Sequence, residues 1–167
     1  MIIVLYAAIS ADGFIATKDG DSDWVKDDEL FEKGVKEFGC VVLGRNTFRQ
    51  YQGDIYPMEG VQHLVLTHKD AGLDTKYSSV TYVTSPENAV KKAAELGFDK
   101  LLVIGGGQCN GTFAAAGLLN EVWLDEHPLK LGSGIKLLGD YPGKLDLKLI
   151  SSQKYPDFVH NKYRVKL

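Results

Sequence analysis

Leu101-Leu102-Val103-Ile104-Gly105-Gly106-Gly107-Gln108-Cys109-Asn110-Gly111 runs from four apolar residues through three successive glycines into a segment of helical character that continues through Phe113 to Leu119. Four consecutive apolar residues bounded by turn formers read as a strand buried on both faces, which is the signature of an interior strand of a parallel sheet. The glycines then carry a chemical meaning. Residues without a Cβ let a pyrophosphate approach the backbone, and the first free amides of the helix that follows point at the anion with the macrodipole behind them. A tight turn is the other explanation, but three adjacent glycines exceed what a turn needs. The stretch therefore predicts an α/β fold with an anion site at the carboxyl end of one strand.

Working outward, short apolar runs of β character recur at Ile2–Ile9, Cys40–Leu43, His63–Thr67, Val80–Val83 and Val122–Leu124, separated by helical or turn-like segments. This alternation predicts parallel strands joined by covering helices. One helix is expected after an Asp27 or Asp28 cap, with Leu30, Phe31, Gly34, Val35 and Phe38 on one face and Gly39 as its stop. Another starts at the Ser85 cap with Pro86 in its first turn and ends at Gly97. The tail differs. Leu145, Leu147 and Leu149 alternate with charged residues, as do Val159, Asn161, Tyr163 and Val165 with His160, Lys162 and Arg164. Two half-exposed strands joined near Tyr155-Pro156-Asp157 predict an antiparallel hairpin at one edge of the sheet.

Composition bounds the function. The 167 residues, 44% hydrophobic and 25% charged, fit a single globular domain spanning 1–167, large enough to bury roughly 70% of its unfolded surface without disulfides or a structural metal. A net charge of −3, from 19 basic and 22 acidic side chains, has the wrong sign for tracking a nucleic-acid backbone. Cys40 and Cys109 lack metal-ligand spacing and read as reduced thiols. No apolar run is long enough to span a bilayer, and Ile2–Ile9 lacks the flanks of a signal peptide, so a cytoplasmic location is the expectation.

Two more strand ends carry anion-binding groups. Leu43-Gly44-Arg45-Asn46-Thr47-Phe48 places a glycine and an arginine before a short helix expected from Thr47, where a guanidinium adds a bidentate pair to the amides. Leu64-Val65-Leu66 ends in Thr67-His68-Lys69. Ligands of open α/β sheets collect at such carboxyl edges. A Rossmann fingerprint fits poorly, because Gly105 and Gly107 would require glycine at Asn110, although Asp125 stands where the acidic residue would be; a P-loop is absent. His63, His127 and His160 have no paired nucleophile and read as structural or solvated, with His68 the exception at the carboxyl edge of its strand; Asp12 reads as a loop cap.

Taken together, Ser10-Ala11-Asp12-Gly13-Phe14-Ile15-Ala16, Asp21-Ser22-Asp23-Trp24, Leu43–Phe48, Val103–Gly107 and Leu131-Gly132-Ser133-Gly134-Ile135 resemble the dihydrofolate reductase-like superfamily, and within it the reductase domain of the bifunctional deaminase-reductase of riboflavin biosynthesis. The resemblance covers nearly the whole chain. It implies a three-layer α/β fold with a mostly parallel sheet of about eight strands and an antiparallel C-terminal hairpin. It also implies an NADPH-dependent reductase acting on a pyrimidine or pterin-like compound, as 5-amino-6-(5-phosphoribosylamino)uracil reductase does, and assembling as a homodimer. The alternatives are dihydrofolate reductase activity, or a nucleotide-binding paralogue that has lost the chemistry.

By the same resemblance, Gly44, Arg45, Thr47, Gly105, Gly106, Gly107 and Gln108 hold the cofactor's phosphates, Arg45 with Thr67, His68 and Lys69 faces the 2′-phosphate, and Ala8, Ile15 and Ile104 surround the nicotinamide. The Gly105–Gly106 peptide is expected to be cis. Ser22, Trp24 and Phe31 are candidates for the substrate side. Asp27, Asp28 and Glu29 are candidates for a substrate-binding or proton-donating carboxylate, or they merely cap a helix start. The chain also departs from its relatives: the proline of the folate-type Trp-x-x-Pro-x-acid pattern is replaced by Asp27, and the segment Glu32–Phe38 lacks the His and Arg pair of riboflavin reductases.

Overall fold

The protein is described from a computed structural model over residues 1–26, 28–68 and 76–166. In chain order the elements are β1 (Ile2–Ser10), β2 (Phe14–Ala16), α1 (Glu29–Phe38), β3 (Cys40–Gly44), α2 (Arg45–Gln50), β4 (Gln62–Leu66) and β5 (Val80–Val83), followed by α3 (Pro86–Glu95), β6 (Lys100–Val103), α4 (Gly107–Ala115), β7 (Glu121–His127), β8 (Ile135–Lys136), β9 (Leu147–Lys154) and β10 (Val159–Val165). The main sheet has eight strands in the order β5-β4-β3-β6-β1-β7-β10-β9. Pairing is parallel from β5 to β7, and β10 and β9 close the far edge as an antiparallel hairpin. None of the helices among the described residues is long and apolar enough to cross a membrane.

The sheet separates two apolar cores. On one face Ile3, Leu5, Val42, Leu64 and Val103 meet Ala89 and Ala93 of α3 and Phe113 of α4. On the other face Val4, Tyr6, Val41, Leu43 and Leu102 meet Val35 and Phe38 of α1 and Phe48 of α2. Because both faces are covered, Cys40 to Leu43 and Leu101 to Val103 lie fully buried, and that is why these strands read as unbroken apolar runs instead of alternating ones. Each large side chain so buried contributes about 1.5–3 kcal/mol.

Capping residues set the helix limits. Ser85 Oγ accepts a hydrogen bond from the Asn88 amide at 3.0 Å. At the end of α1, Gly39 takes the left-handed conformation, φ 75°, and its N–H donates to the Val35 carbonyl. Other boundaries moved. Asp28 stands at the N-cap of α1 but makes no capping hydrogen bond through its side chain. The α2 helix starts at Arg45, two residues before Thr47, and α4 starts at Gly107 and stops at Ala115, short of Leu119. The hairpin is also more exposed on β9 than its alternation suggested, with Leu149 and Ile150 open to solvent. The pairing skips Ile150, and such a bulge reverses the facing of the residues beyond it. The small β2–β8 sheet had no sequence signal, since β8 is only two residues long.

Candidate functional site

Strand connectivity decides where a site can form. After β3 the chain turns through α2 toward β4 and β5, whereas after the neighbouring β6 it turns through α4 toward β7 on the opposite side of β1. Adjacent strands whose connections diverge leave a crevice at their carboxyl ends. A cleft of about 990 Å³ opens there, and it runs on between the sheet and α1.

Gly44, Arg45 and Thr47 from β3–α2, Thr67 and His68 from the end of β4, and Ile104, Gly105, Gly106, Gly107 and Gln108 from β6–α4 all line this cleft, as do Ala8 and Ile15. The three strand ends therefore converge. Lys69 and Asp27 lie outside the described residues. The Gly44 N–H donates to the Gly105 carbonyl at 2.7 Å, which ties the two glycine turns together. The Gly105–Gly106 peptide is cis. Gly106 is the N-cap of α4 and brings no side chain to the helix start, so the amides of its first turn open toward the cleft.

The glycines differ in what requires them. A Cβ at Gly106 would lie 3.0 Å from Thr47 Oγ1, inside the cleft wall. A Cβ at Gly107 would lie 2.7 Å from the Lys136 carbonyl and 2.9 Å from Ile135, so the close passage of β8 also demands glycine there. Gln108 is exposed, and its side-chain amide donates to Asp140 at 2.5 Å. Cys109 is buried beneath this turn, and burial pushes its thiol up to about 12, far from a reactive thiolate.

Asp12 fastens the adjoining loops. Its carboxylate accepts from Ser10 Oγ at 2.6 Å and from the Leu131 and Gly132 amides at 3.1 and 2.8 Å, linking the turn after β1 to the loop after β7. The Ser10 hydroxyl and these amides lower its pKa from 3.8 to about 2. A depressed pKa stabilises the fold above the ordinary carboxylate range, and the benefit disappears as pH falls through about 2. Acid titration of stability should show Asp12→Asn less stable than wild type at neutral pH, with the difference vanishing near pH 2.

At the other end of the cleft, Ser22, Asp28 and Phe31 line the wall. Ser22 Oγ lies 3.3 Å from Tyr51 Oη. Glu29 is exposed and does not line the cleft. Nor does Trp24: its ring packs edge-on against His127 at 5.3 Å, which makes it an anchor of its loop against β7. The remaining histidines are buried apart from His68, and His63 accepts from the Met58 amide through Nε2 while burial lowers its pKa.

Tyr6 and Asp125 also line the cleft; the sequence alone assigns Tyr6 no site role and offers Asp125 only as the acidic position of a poorly fitting Rossmann fingerprint. Asp125 is 2% exposed. One of its oxygens accepts a hydrogen bond from Tyr6 Oη at 2.9 Å, and the other is hydrogen-bonded to His160 Nδ1 at 2.6 Å. The available signal was an acid directly following the apolar Val122–Leu124 run, on a strand otherwise read as buried.

The chain is 27% identical over 170 residues to the uncharacterized protein YwjB of Bacillus subtilis, covering 96% of this chain and 95% of that protein. Among solved structures it superposes on a protein from Shewanella sp. PV-4 provisionally assigned to riboflavin biosynthesis, with a TM-score of 0.82, 26% identity and full coverage of both chains. It also superposes on the diaminohydroxyphosphoribosylaminopyrimidine deaminase/5-amino-6-(5-phosphoribosylamino)uracil reductase of Thermotoga maritima. There the TM-score is 0.77, the identity 17%, and the match covers 99% of this chain and 56% of that one, a likeness of fold. The model of the RibD C-terminal domain matches residues 1–160. With the eight-stranded sheet, the paired glycine turns and this match over nearly its whole length, the chain belongs to the RibD C-terminal domain family.

Proposed function

We propose that the protein is an NADPH-dependent reductase that delivers hydride to a pyrimidine or pterin-like substrate, with chemistry most like that of 5-amino-6-(5-phosphoribosylamino)uracil reductase. The observation that carries this reading is the convergence of three strand ends bearing phosphate-compatible groups on one cleft. The family and the fold neighbours support a reductase-like role.

The residues present fit a nicotinamide dinucleotide. The first turn of α4 offers amides to a pyrophosphate, and the bare Gly106 backbone leaves the space that a side chain would fill beside Thr47. Arg45, with Thr67 and His68, suits a phosphate monoester, because a guanidinium can engage two of its oxygens at once. Ala8, Ile15 and Ile104 give small apolar contacts where a planar ring must lie against a substrate and exclude water. When bound, the dihydronicotinamide supplies the hydride. The protein supplies orientation and a dry surface. Phe31 and Ser22 border the space left for the substrate.

Fluorescence titration with NADPH, followed by its oxidation with ribosylaminopyrimidine phosphates and with dihydrofolate, tests this function. Saturable binding with turnover on one of these classes is the expected result; binding with no turnover on any pteridine or pyrimidine removes the enzymatic part. Arg45→Ala should weaken NADPH by about 10- to 100-fold, the loss of a charge-assisted pair worth about 1.5–3 kcal/mol. NADH binding should change little. Equal losses for the two cofactors would remove Arg45 from the 2′-phosphate.

A further inference from the structure

Six carboxylates among the described residues line the cleft, and five of them, Asp19, Asp23, Asp28, Glu32 and Asp54, are exposed. The sixth, Asp125, is buried. It stands on β7 beside Tyr6 on β1 and His160 on β10, three side chains from three adjacent strands facing the α1 side of the sheet. Tyr6 Oη donates to one carboxylate oxygen at 2.9 Å, and His160 Nδ1 meets the other at 2.6 Å. Phe31 and Trp123 close around the Tyr6 ring with centroids 5.1 and 5.8 Å away.

Stability does not account for this group. A carboxylate withdrawn from water costs free energy that a paired histidine only partly returns, and apolar side chains of the same volume often stabilise such a position at least as well. Buried ionisable groups in a cleft are instead a mark of chemistry. The partners also differ in what they can do. Burial, and then the charge of Asp125, raises the pKa of Tyr6 above its ordinary value, so the phenol stays protonated and serves as a fixed donor. His160 Nδ1, 2.6 Å from the other oxygen, is the partner placed to share a proton with Asp125. The other titratable groups facing the trio are Tyr155 beside Tyr6, His127, whose Nδ1 lies 2.9 Å from the Asp125 backbone carbonyl, and Asp28 and Glu32 across the cleft.

We propose that Asp125 is the proton donor of the reduction, with His160 and Tyr6 as the positioning residues that load and orient it; this rests on the reductase reading above. As hydride adds to the carbon of a polarised C=N or C=O bond, the π pair moves to the heteroatom, which takes its proton from Asp125. The dinucleotide is oxidised by two electrons and the substrate is reduced by two. Asp125, left as a carboxylate, is reprotonated from water by way of His160, so each turnover takes up one solvent proton.

The test uses the full chain and two variants, each first checked for its melting temperature. Asp125→Asn keeps the shape and an acceptor for Tyr6, and is expected to lower kcat at least about 100-fold, the usual contribution of a general acid, with NADPH affinity unchanged. Independently of turnover, calorimetry of 2-aminopyrimidine binding in two buffers of different ionisation enthalpy should show proton exchange in the wild type and none in Asp125→Asn. His160→Gln should flatten the pH profile of kcat at constant NADPH affinity, and it decides the matter if Asp125→Asn does not fold. A kcat within about threefold of wild type for Asp125→Asn, an unaltered pH profile for His160→Gln, or equal proton exchange in the wild type and Asp125→Asn overturns the assignment. If the wild type fails to oxidise NADPH, the reductase reading falls, and the calorimetric arm alone then judges Asp125. Absence of proton exchange in the wild type overturns the assignment as well.

Discussion

Gly106→Val is expected to abolish the binding of both NADPH and NADH, raising Kd at least about 100-fold, or about 2.7 kcal/mol. The backbone of Gly106, at φ −71° and ψ −162°, is one that any L-residue adopts. The substitution therefore need not strain the chain. Its Cβ would lie 3.0 Å from Thr47 Oγ1, a contact that a threonine side chain can relieve by turning, and the two methyl groups would project where the pyrophosphate is proposed to rest. The loss should therefore appear in nucleotide titration while the melting temperature shifts by only a few degrees. Unaltered affinity in a folded variant would exclude the glycine cradle.

Gly111→Ala is expected to act the other way, on the fold. A Cβ there would lie 2.3 Å from the Leu138 carbonyl and 3.1 Å from Tyr141 Cβ, and the first of these neighbours is backbone. The segment after β8 would have to move off α4. Overpacking of this kind costs about 1–3 kcal/mol, and a loss near the upper end corresponds to a melting temperature lowered by roughly 5–10 °C in a domain of this size. Thermal unfolding followed by circular dichroism measures it. A melting temperature within a degree of wild type would show that the segment after β8 is not seated on α4.

These two glycines illustrate how much of the molecule was legible. Strands buried on both faces announce themselves as apolar runs, so β1, β3, β4, β5 and β6 were readable, and with them the parallel character of the sheet, though not the order of its strands. Ser85 and Pro86 marked the start of α3 because capping is local chemistry. Gly107 reads as a member of the phosphate turn and Gly111 only as part of the helical segment after it; that a segment more than twenty residues downstream also excludes a side chain at each is something no local pattern encodes. The same holds for Trp24, whose partner His127 is brought to it by β7. Asp125 was visible as an acid in a buried strand, yet its role depends on Tyr6 and His160, which stand 119 and 35 residues away along the chain.

The resemblance supplied what periodicity did not, namely which strand ends face one cleft. The cleft gathers Ala8, Ile15, Arg45, Thr67, His68 and Gly105 as that resemblance implied. Of the acids at the start of α1, Asp28 lines the cleft and is exposed and Glu29 is exposed outside it, whereas Asp125 is buried within the cleft.

A crystal structure of the protein grown with saturating NADPH tests the proposed function most directly. The expected density places the pyrophosphate over the amides of Gly105 to Gly107, the 2′-phosphate on Arg45, and the nicotinamide against Ala8, Ile15 and Ile104. A dinucleotide bound elsewhere, or a cleft without one at saturating concentration, would contradict it.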